Sequence, residues 1–284
     1  MKEVTSNLEH FDTPRMPTDN DRRIALITGA TAGLGAEFAR RLAERGHSLI
    51  LVARNTERLA EQSAELARAH GIEVERIAVD LATDAGVDHV VARLGQLPPI
   101  NVLVNNAGFG TKGALATADG AVQDVMVRLH VLAVHRLTQA ALPAMLEAGR
   151  GSIITVSSVA SYLTSAGNVN YCATKAYQRV AMEALSLEVG GQGVYVQALC
   201  PGLTRTEFHQ RASMRMDGVP DIVWMSAAAV VDASLRAMDA RRPTVVIPGF
   251  KNRAILARND ASTTAAALIQ TLSGTPSIRI DARW

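Results

Sequence analysis

The sequence predicts an α/β fold: one domain built on a doubly wound parallel sheet of about seven strands flanked by helices. Three observations carry this. Short apolar runs near 24–28, 48–53, 76–80, 101–105, 152–157, 193–199 and 244–248 read as strands. Segments with apolar residues at helical spacing fill the gaps, most clearly 33–45, 56–69, 119–148 and 169–189. The alternation runs from 23 to 250 with no linker, repeat or break in composition, so this stretch is expected to be one domain.

The first strand sets the character of the domain. Ile24-Ala25-Leu26-Ile27-Thr28 runs into Gly29-Ala30-Thr31-Ala32-Gly33-Leu34-Gly35, and a helical segment follows that stops at Gly46. A strand, a glycine-rich turn and a helix in that order make a Rossmann-like dinucleotide turn. The glycines let the backbone approach a pyrophosphate and let the helix pack on the sheet, while the helix N-terminus faces the anion. The spacing is G-x-x-x-G-x-G, and a tight turn without a ligand stays open as the plainer reading.

The second strand, 48–53, ends in Arg54, nineteen residues past Gly35. An acid there would bind the ribose hydroxyl of NAD; an arginine accommodates the extra phosphate of NADP. With no carboxylate at the strand end, NADP(H) is expected over NAD(H). A solvated cation at a helix start is the alternative.

Tyr171 and Lys175 lie four residues apart in a helical segment, so they share a face, and Ser158 precedes the tyrosine by thirteen residues. A phenol normally ionises near pH 10. A neighbouring ammonium favours phenolate and is expected to lower that pKa toward the working range. A serine at an adjoining strand end can hold a substrate oxygen by hydrogen bonding. By itself Tyr-x-x-x-Lys is a weak signal, common as a surface contact.

Taken together, these residues give the chain a resemblance to the short-chain dehydrogenase/reductase family, in its NADP-preferring branch, from about residue 22 to about 250. Residues 28–35 match the nucleotide turn, which implies that Gly29, Thr31, Gly33, Leu34 and Gly35 hold cofactor. Asp80-Leu81 match the pair that touches adenine, and Asn105-Asn106-Ala107-Gly108 match the motif that borders the cofactor. Ser158, Tyr171 and Lys175 match the catalytic residues. Pro201-Gly202-Leu203-Thr204-Arg205-Thr206 match the turn whose Pro201, Gly202, Thr204 and Thr206 are implied to hold the nicotinamide. One position departs from the pattern: His130 stands where the family has an asparagine that helps hold a water beside the lysine. A neutral imidazole can also donate and accept, so the proton relay, not cofactor binding, is the part in question.

The resemblance implies hydride transfer between NADP(H) and a carbonyl or secondary alcohol, with Tyr171 as acid/base. It also implies pairing of helices 119–148 and 169–189 between subunits in a homodimer or homotetramer. Two other readings stay open: a nucleotide-binding regulator or pseudo-enzyme with its relay broken at His130, and an epimerase or dehydratase on the same scaffold. The segment 207–226, with Phe208, Met214, Met216, Val223, Trp224 and Met225, is expected to line an apolar lid over a hydrophobic substrate.

The rest of the composition narrows the classes. The chain has 284 residues, 48% of them hydrophobic, and a net charge of +2 without a basic stripe, so nucleic acid is not an expected partner. No run of eighteen apolar residues exists, and no membrane span is expected. Cys172 and Cys200 have no metal spacing and suit a reducing cytoplasm; the histidines are scattered, so no metal is expected. Cys172 is expected to point away from the tyrosine and serve packing. Residues 1–22, polar with Pro14 and Pro17, read as a flexible tail without a signal peptide. Residues 251–284 read as a partly helical extension, with helical spacing at 251–258 and 265–270.

Overall fold

The computed structural model describes residues 23–96, 98–208 and 220–258. The tail 1–22 and the segment 265–270 lie outside them. One parallel sheet is built from β1 (Ile24–Thr28), β2 (Ser48–Ala53), β3 (Val74–Ala78), β4 (Val102–Asn105), β5 (Gly151–Val156), β6 (Val194–Leu199) and β9 (Val245–Val246). Its order is β3-β2-β1-β4-β5-β6-β9. Between β6 and β9 in the chain, two short strands, β7 (Thr204–Arg205) and β8 (Met225–Ser226), pair with each other.

Period-two alternation sends neighbouring side chains to opposite faces, and the two faces carry separate cores. Leu26, Ile50, Leu103, Ile153 and Val196 cluster with Val87 and Val90 of α3 (Asp84–Leu94), Leu137 and Met145 of α5 (Val134–Glu147) and Met182 of α6 (Val169–Glu188). Ala25, Ile27, Leu49, Leu51, Val102 and Val104 cluster with Phe38 and Leu42 of α1 (Gly33–Glu44), Leu59 and Leu66 of α2 (Thr56–His70) and Leu235 of α7 (Ala227–Ala240). Burying each large side chain contributes about 1.5–3 kcal/mol. A one-residue slip would exchange the two sets, so the register Leu26–Ile50 and Leu26–Leu103 is strongly specified.

Three elements differ from the sequence expectation. β3 starts at Val74 and ends at Ala78 rather than running over 76–80, so Asp80 lies beyond the strand. As the sheet's edge it carries Glu75 and Arg76 facing water, which hides it from an apolar pattern. β9 is two residues long rather than five, with Pro248 and Gly249 close behind it. The expected helix 119–148 is divided: α4 (Gly120–Val127), a wide π turn over Arg128–Ala133, then α5. The extra residue in that turn is invisible to a helical period, and it delivers His130 to the interior at 0% exposure. A last helix, α8 (Phe250–Arg258), begins the C-terminal extension.

Candidate active site

The carboxyl ends of β1, β2, β4 and β5 open into one cleft of ≈ 1160 Å³, where ligands bind in open parallel sheets. At its centre α1 starts without a capping side chain and without an acid in its first turn. By contrast α2, α3 and α7 are capped by Asn55, Thr83 and Ser226, which accept from Arg58 N–H, Gly86 N–H and Ala229 N–H. The α1 N-terminus therefore presents its backbone donors and the positive end of its dipole to the cleft, through Thr31, Ala32, Gly33 and Leu34. That donor set fits a pyrophosphate.

The turn before α1 is packed against the end of β4. Gly29 has φ +64°, and a Cβ there would come within 2.9 Å of Ala107 Cα. A Cβ on Gly35 would overlap the Gly29 carbonyl oxygen. Gly35 thus sits behind the turn and allows the close approach, while Gly29 and Gly33 line the cleft. Asn106 Nδ2 donates to the carbonyls of Thr28 (2.9 Å) and Gly29 (3.2 Å). Thr28 Oγ1 in turn accepts from Asn106 N–H (2.9 Å) and Ala107 N–H (3.0 Å). The bridging role of Thr28, between β1 and β4, was not legible from the sequence.

Toward one end of the cleft lie Arg54, Asn55, Arg58, Asp80 and Leu81. The Arg54 side chain is 75% exposed, and its Nη1 sits 3.8 Å from the Asp80 carboxylate, a surface pair that holds the guanidinium only loosely. Arg58, in the first turn of α2, pairs with Glu207 at 3.2 Å. It too was missed; a second arginine four residues past Arg54 was the available signal.

The opposite wall holds Ser158, Tyr171 and Lys175. Ser158 lies two residues past β5, where its Oγ accepts from Ala160 N–H (3.1 Å) and hydrogen-bonds the Tyr171 hydroxyl. On α6, Lys175 Nζ lies 5.9 Å from the Tyr171 ring centroid and donates to the Val156 carbonyl (2.8 Å) and Gln178 Oε1 (3.0 Å). The expected lowering of the phenol pKa is corrected by this geometry. Burial pushes Tyr171 up to about 12, with the Ser158 hydrogen bond opposing it. Burial likewise pulls Lys175 down from 10.5 to about 7. An ammonium that is itself hard to keep charged cannot outweigh the desolvation of its neighbour, so the Tyr171 hydroxyl keeps its proton at neutral pH.

His130 does not line the cleft. Its Nε2 accepts from Phe109 N–H (3.1 Å), which leaves the ring's proton on Nδ1, donated to Thr174 Oγ1 (3.0 Å). The threonine hydroxyl then donates to the Tyr171 carbonyl (3.2 Å). Desolvation, with the Lys175 charge second, holds this imidazole well below its ordinary pKa, so it is neutral. Its backbone carbonyl accepts from Gln178 Nε2 (2.9 Å).

Asn106, Ala107, Gly108, Pro201, Gly202, Thr204 and Thr206 also line the cleft. So does Cys172, which is half-buried: one helical position past the tyrosine still faces the opening, contrary to the packing role expected of it. Of the expected apolar lid, Phe208 reaches the cleft, its ring centroid 6.0 Å from that of Tyr171. Met214 and Met216 lie outside the described residues. Trp224 instead sits under Arg205, 5.5 Å from the guanidinium. Phe109, Val122, Val125 and Leu163, none of them singled out from the sequence, supply apolar lining. Among the described residues no group of His, Cys, Asp or Glu converges on a metal-sized site, and no helix is long and apolar enough to cross a membrane.

Residues 23–217 match the family model described as short chain dehydrogenase. The chain is 36% identical over 194 residues to sulfoacetaldehyde reductase 2 of Chromohalobacter salexigens, covering 65% of this chain and 74% of that protein. Among solved structures, a short-chain dehydrogenase from Sphingobium yanoikuyae in complex with NADPH superposes with TM-score 0.78 at 33% identity, over 92% of this chain and 99% of that one. A bulky-bulky ketone specific alcohol dehydrogenase from Comamonas testosteroni superposes with TM-score 0.73 at 33% identity, over 84% and 92%.

Proposed function

The chain belongs to the short-chain dehydrogenase/reductase family of oxidoreductases, and on that premise we propose that it interconverts a carbonyl compound and a secondary alcohol with NADP(H). The observation that carries this is the placement of Ser158, Tyr171 and Lys175 on one wall of a cleft whose centre is the uncapped start of α1. The cofactor supplies the hydride when bound. Thr31, Gly33 and Leu34 would hold its pyrophosphate, Arg54 with Arg58 its extra phosphate, and Asp80 and Leu81 its adenine. Asn106, Ala107 and Gly108 would border it, Lys175 would meet its ribose, and Pro201, Gly202, Thr204 and Thr206 would hold its amide end.

In the reducing direction Ser158 donates a hydrogen bond to the substrate carbonyl oxygen. Tyr171 then gives that oxygen its proton as the carbon is reduced, leaving a phenolate that takes a proton back from solvent. In the oxidising direction the same oxygen receives the alcohol proton. An acid pushed up to about 12 is poorly matched to neutral pH in the cofactor-free cleft, and in the oxidising direction the positive ring of an oxidised nicotinamide would act with the lysine to bring it down.

The substrate class follows from the lining. Phe109, Val122, Val125, Leu163 and Phe208 present aromatic and branched surface in the cleft that Tyr171 lines, which favours a medium-sized hydrophobic ketone or alcohol. The relatives' names span a small sulfonated aldehyde and bulky ketones, so the choice rests on these five residues. Val169, Val180 and Leu187 of α6 are 50%, 51% and 84% exposed, which supports a homodimer or homotetramer paired along this helix; a monomeric mass in solution would refute that.

A Tyr171→Phe variant is the decisive test. It keeps NADPH binding by fluorescence and loses about 10²–10⁴-fold in turnover of a ketone panel. Full activity in that variant would remove Tyr171 as the acid. Running the panel with both NADPH and NADH settles the coenzyme at the same time.

A further inference from the structure

Gln178 is a polar side chain with 1% exposure, three residues past Lys175 on α6, and both ends of its amide are engaged. Its Oε1 accepts from Lys175 Nζ (3.0 Å) and its Nε2 donates to the His130 carbonyl (2.9 Å). That carbonyl belongs to the π turn, where the widened backbone ladder admits a side-chain donor. On the other side, Ser157 Oγ donates to the Lys175 carbonyl (2.7 Å). We propose that Gln178 is a positioning residue for the reaction, clamping the Lys175 ammonium to the His130 carbonyl and so setting both its direction and its charge.

An ammonium has three N–H donors. The Val156 carbonyl and Gln178 take two of them, which leaves one to meet a bound ligand. The titratable groups facing this ammonium are Tyr171 on its own helix, His130 from the π turn and Cys200 just past β6. None is a carboxylate, so the charge is held by neutral acceptors, and Gln178 is its side-chain acceptor. A buried amide with both ends bonded also explains how His130 can replace an asparagine: the histidine ring turns to Phe109 and Thr174, while the link to the lysine runs through its backbone carbonyl and the glutamine. An amide neither gains nor loses a proton here, so the clamp orients the lysine without relaying protons from it.

The inference rests on the reading that Lys175 serves a bound nicotinamide nucleotide. Its test therefore reads NADPH binding as well as turnover. NADPH dissociation constants by fluorescence and kcat on an accepted ketone are measured across pH for the wild type, Gln178→Met and Gln178→Glu. In Gln178→Met the ammonium loses an acceptor, and the alkaline limb of both profiles moves to lower pH by about one unit, a tenfold loss of charged lysine at a given pH. In Gln178→Glu the carboxylate holds the charge, and both limbs move to higher pH. Unshifted limbs in both variants, even with lowered melting temperatures, overturn the proposal by reducing Gln178 to a packing residue. Should the glutamate variant fail to fold, the direction of the methionine variant's binding limb decides. Wild-type protein that binds NADPH but turns over nothing would instead defeat the functional reading, leaving the binding limb to judge the clamp.

Discussion

Replacing Lys175 with methionine turns the electrostatics of the cleft into a measurement of folding. Lys175 is 5% exposed, and burial pulls its pKa from 10.5 to about 7. Between those values the unfolded chain holds a proton that the folded chain does not. Stability of the wild type therefore rises with pH across this window, by about 1.4 kcal/mol per unit at most. Working the two binding curves through, the wild type gains about 3 kcal/mol between pH 7 and about pH 9.5, where half-titration at the lower end trims the slope. The methionine variant lacks this gain. Comparing the slopes, rather than the stabilities at one pH, removes the cost of leaving the Val156 carbonyl and Gln178 Oε1 without their donor, because that cost does not change with pH. Ionisation of the tyrosines and cysteines in the unfolded chain occurs in both proteins and cancels in the difference. The assay is urea unfolding of the cofactor-free protein at a series of pH values. Parallel curves for wild type and variant would mean that the ammonium is solvated after all, and the account of Tyr171 and Lys175 would fall with it.

Other expectations concern the nucleotide turn and its surroundings. Gly35→Ala places a Cβ on the Gly29 carbonyl oxygen; the overpacking costs about 1–3 kcal/mol, read as a lower melting temperature together with weakened NADPH binding. Unchanged values would mean that the turn does not pack as described. Gly108→Ala would put a Cβ 2.7 Å from His130 Nε2 and break its bond to Phe109 N–H; a loss of about 1–3 kcal/mol is expected in unfolding, and none if the histidine can swing aside. Arg58→Ala is expected to raise the NADPH dissociation constant about tenfold while sparing NADH, since a charged hydrogen bond to phosphate is removed. Equal losses for both nucleotides would show that Arg58 does not read the extra phosphate.

Much of the site was legible because its residues sit in short local patterns. The glycine turn, Arg54 at the end of β2, and Tyr171 and Lys175 one helical turn apart each follow from backbone periodicity over fewer than twenty residues. Gln178, Thr28, Thr174 and Phe109 were not legible, because each acts through a partner far away in the chain: Gln178 meets His130 at a separation of 48 residues, and Thr28 meets Asn106 at 78. The π turn inside the expected helix 119–148 was missed for a related reason. Apolar spacing continues through it, and only the backbone hydrogen bonding shows that one extra residue has been accommodated there.

The order of strands and helices, the glycine-rich turn and the choice of an arginine over an acid at β2 are properties of the sequence by itself, since each is encoded by neighbours along the chain. The protonation of the site was decided by the tertiary structure. Spacing puts a lysine beside a tyrosine, but how much water is stripped from each depends on the sheet, the π turn and the core that α6 shares with α3 and α5 closing around them. That desolvation raised the phenol and lowered the amine, reversing the direction that adjacency alone predicts.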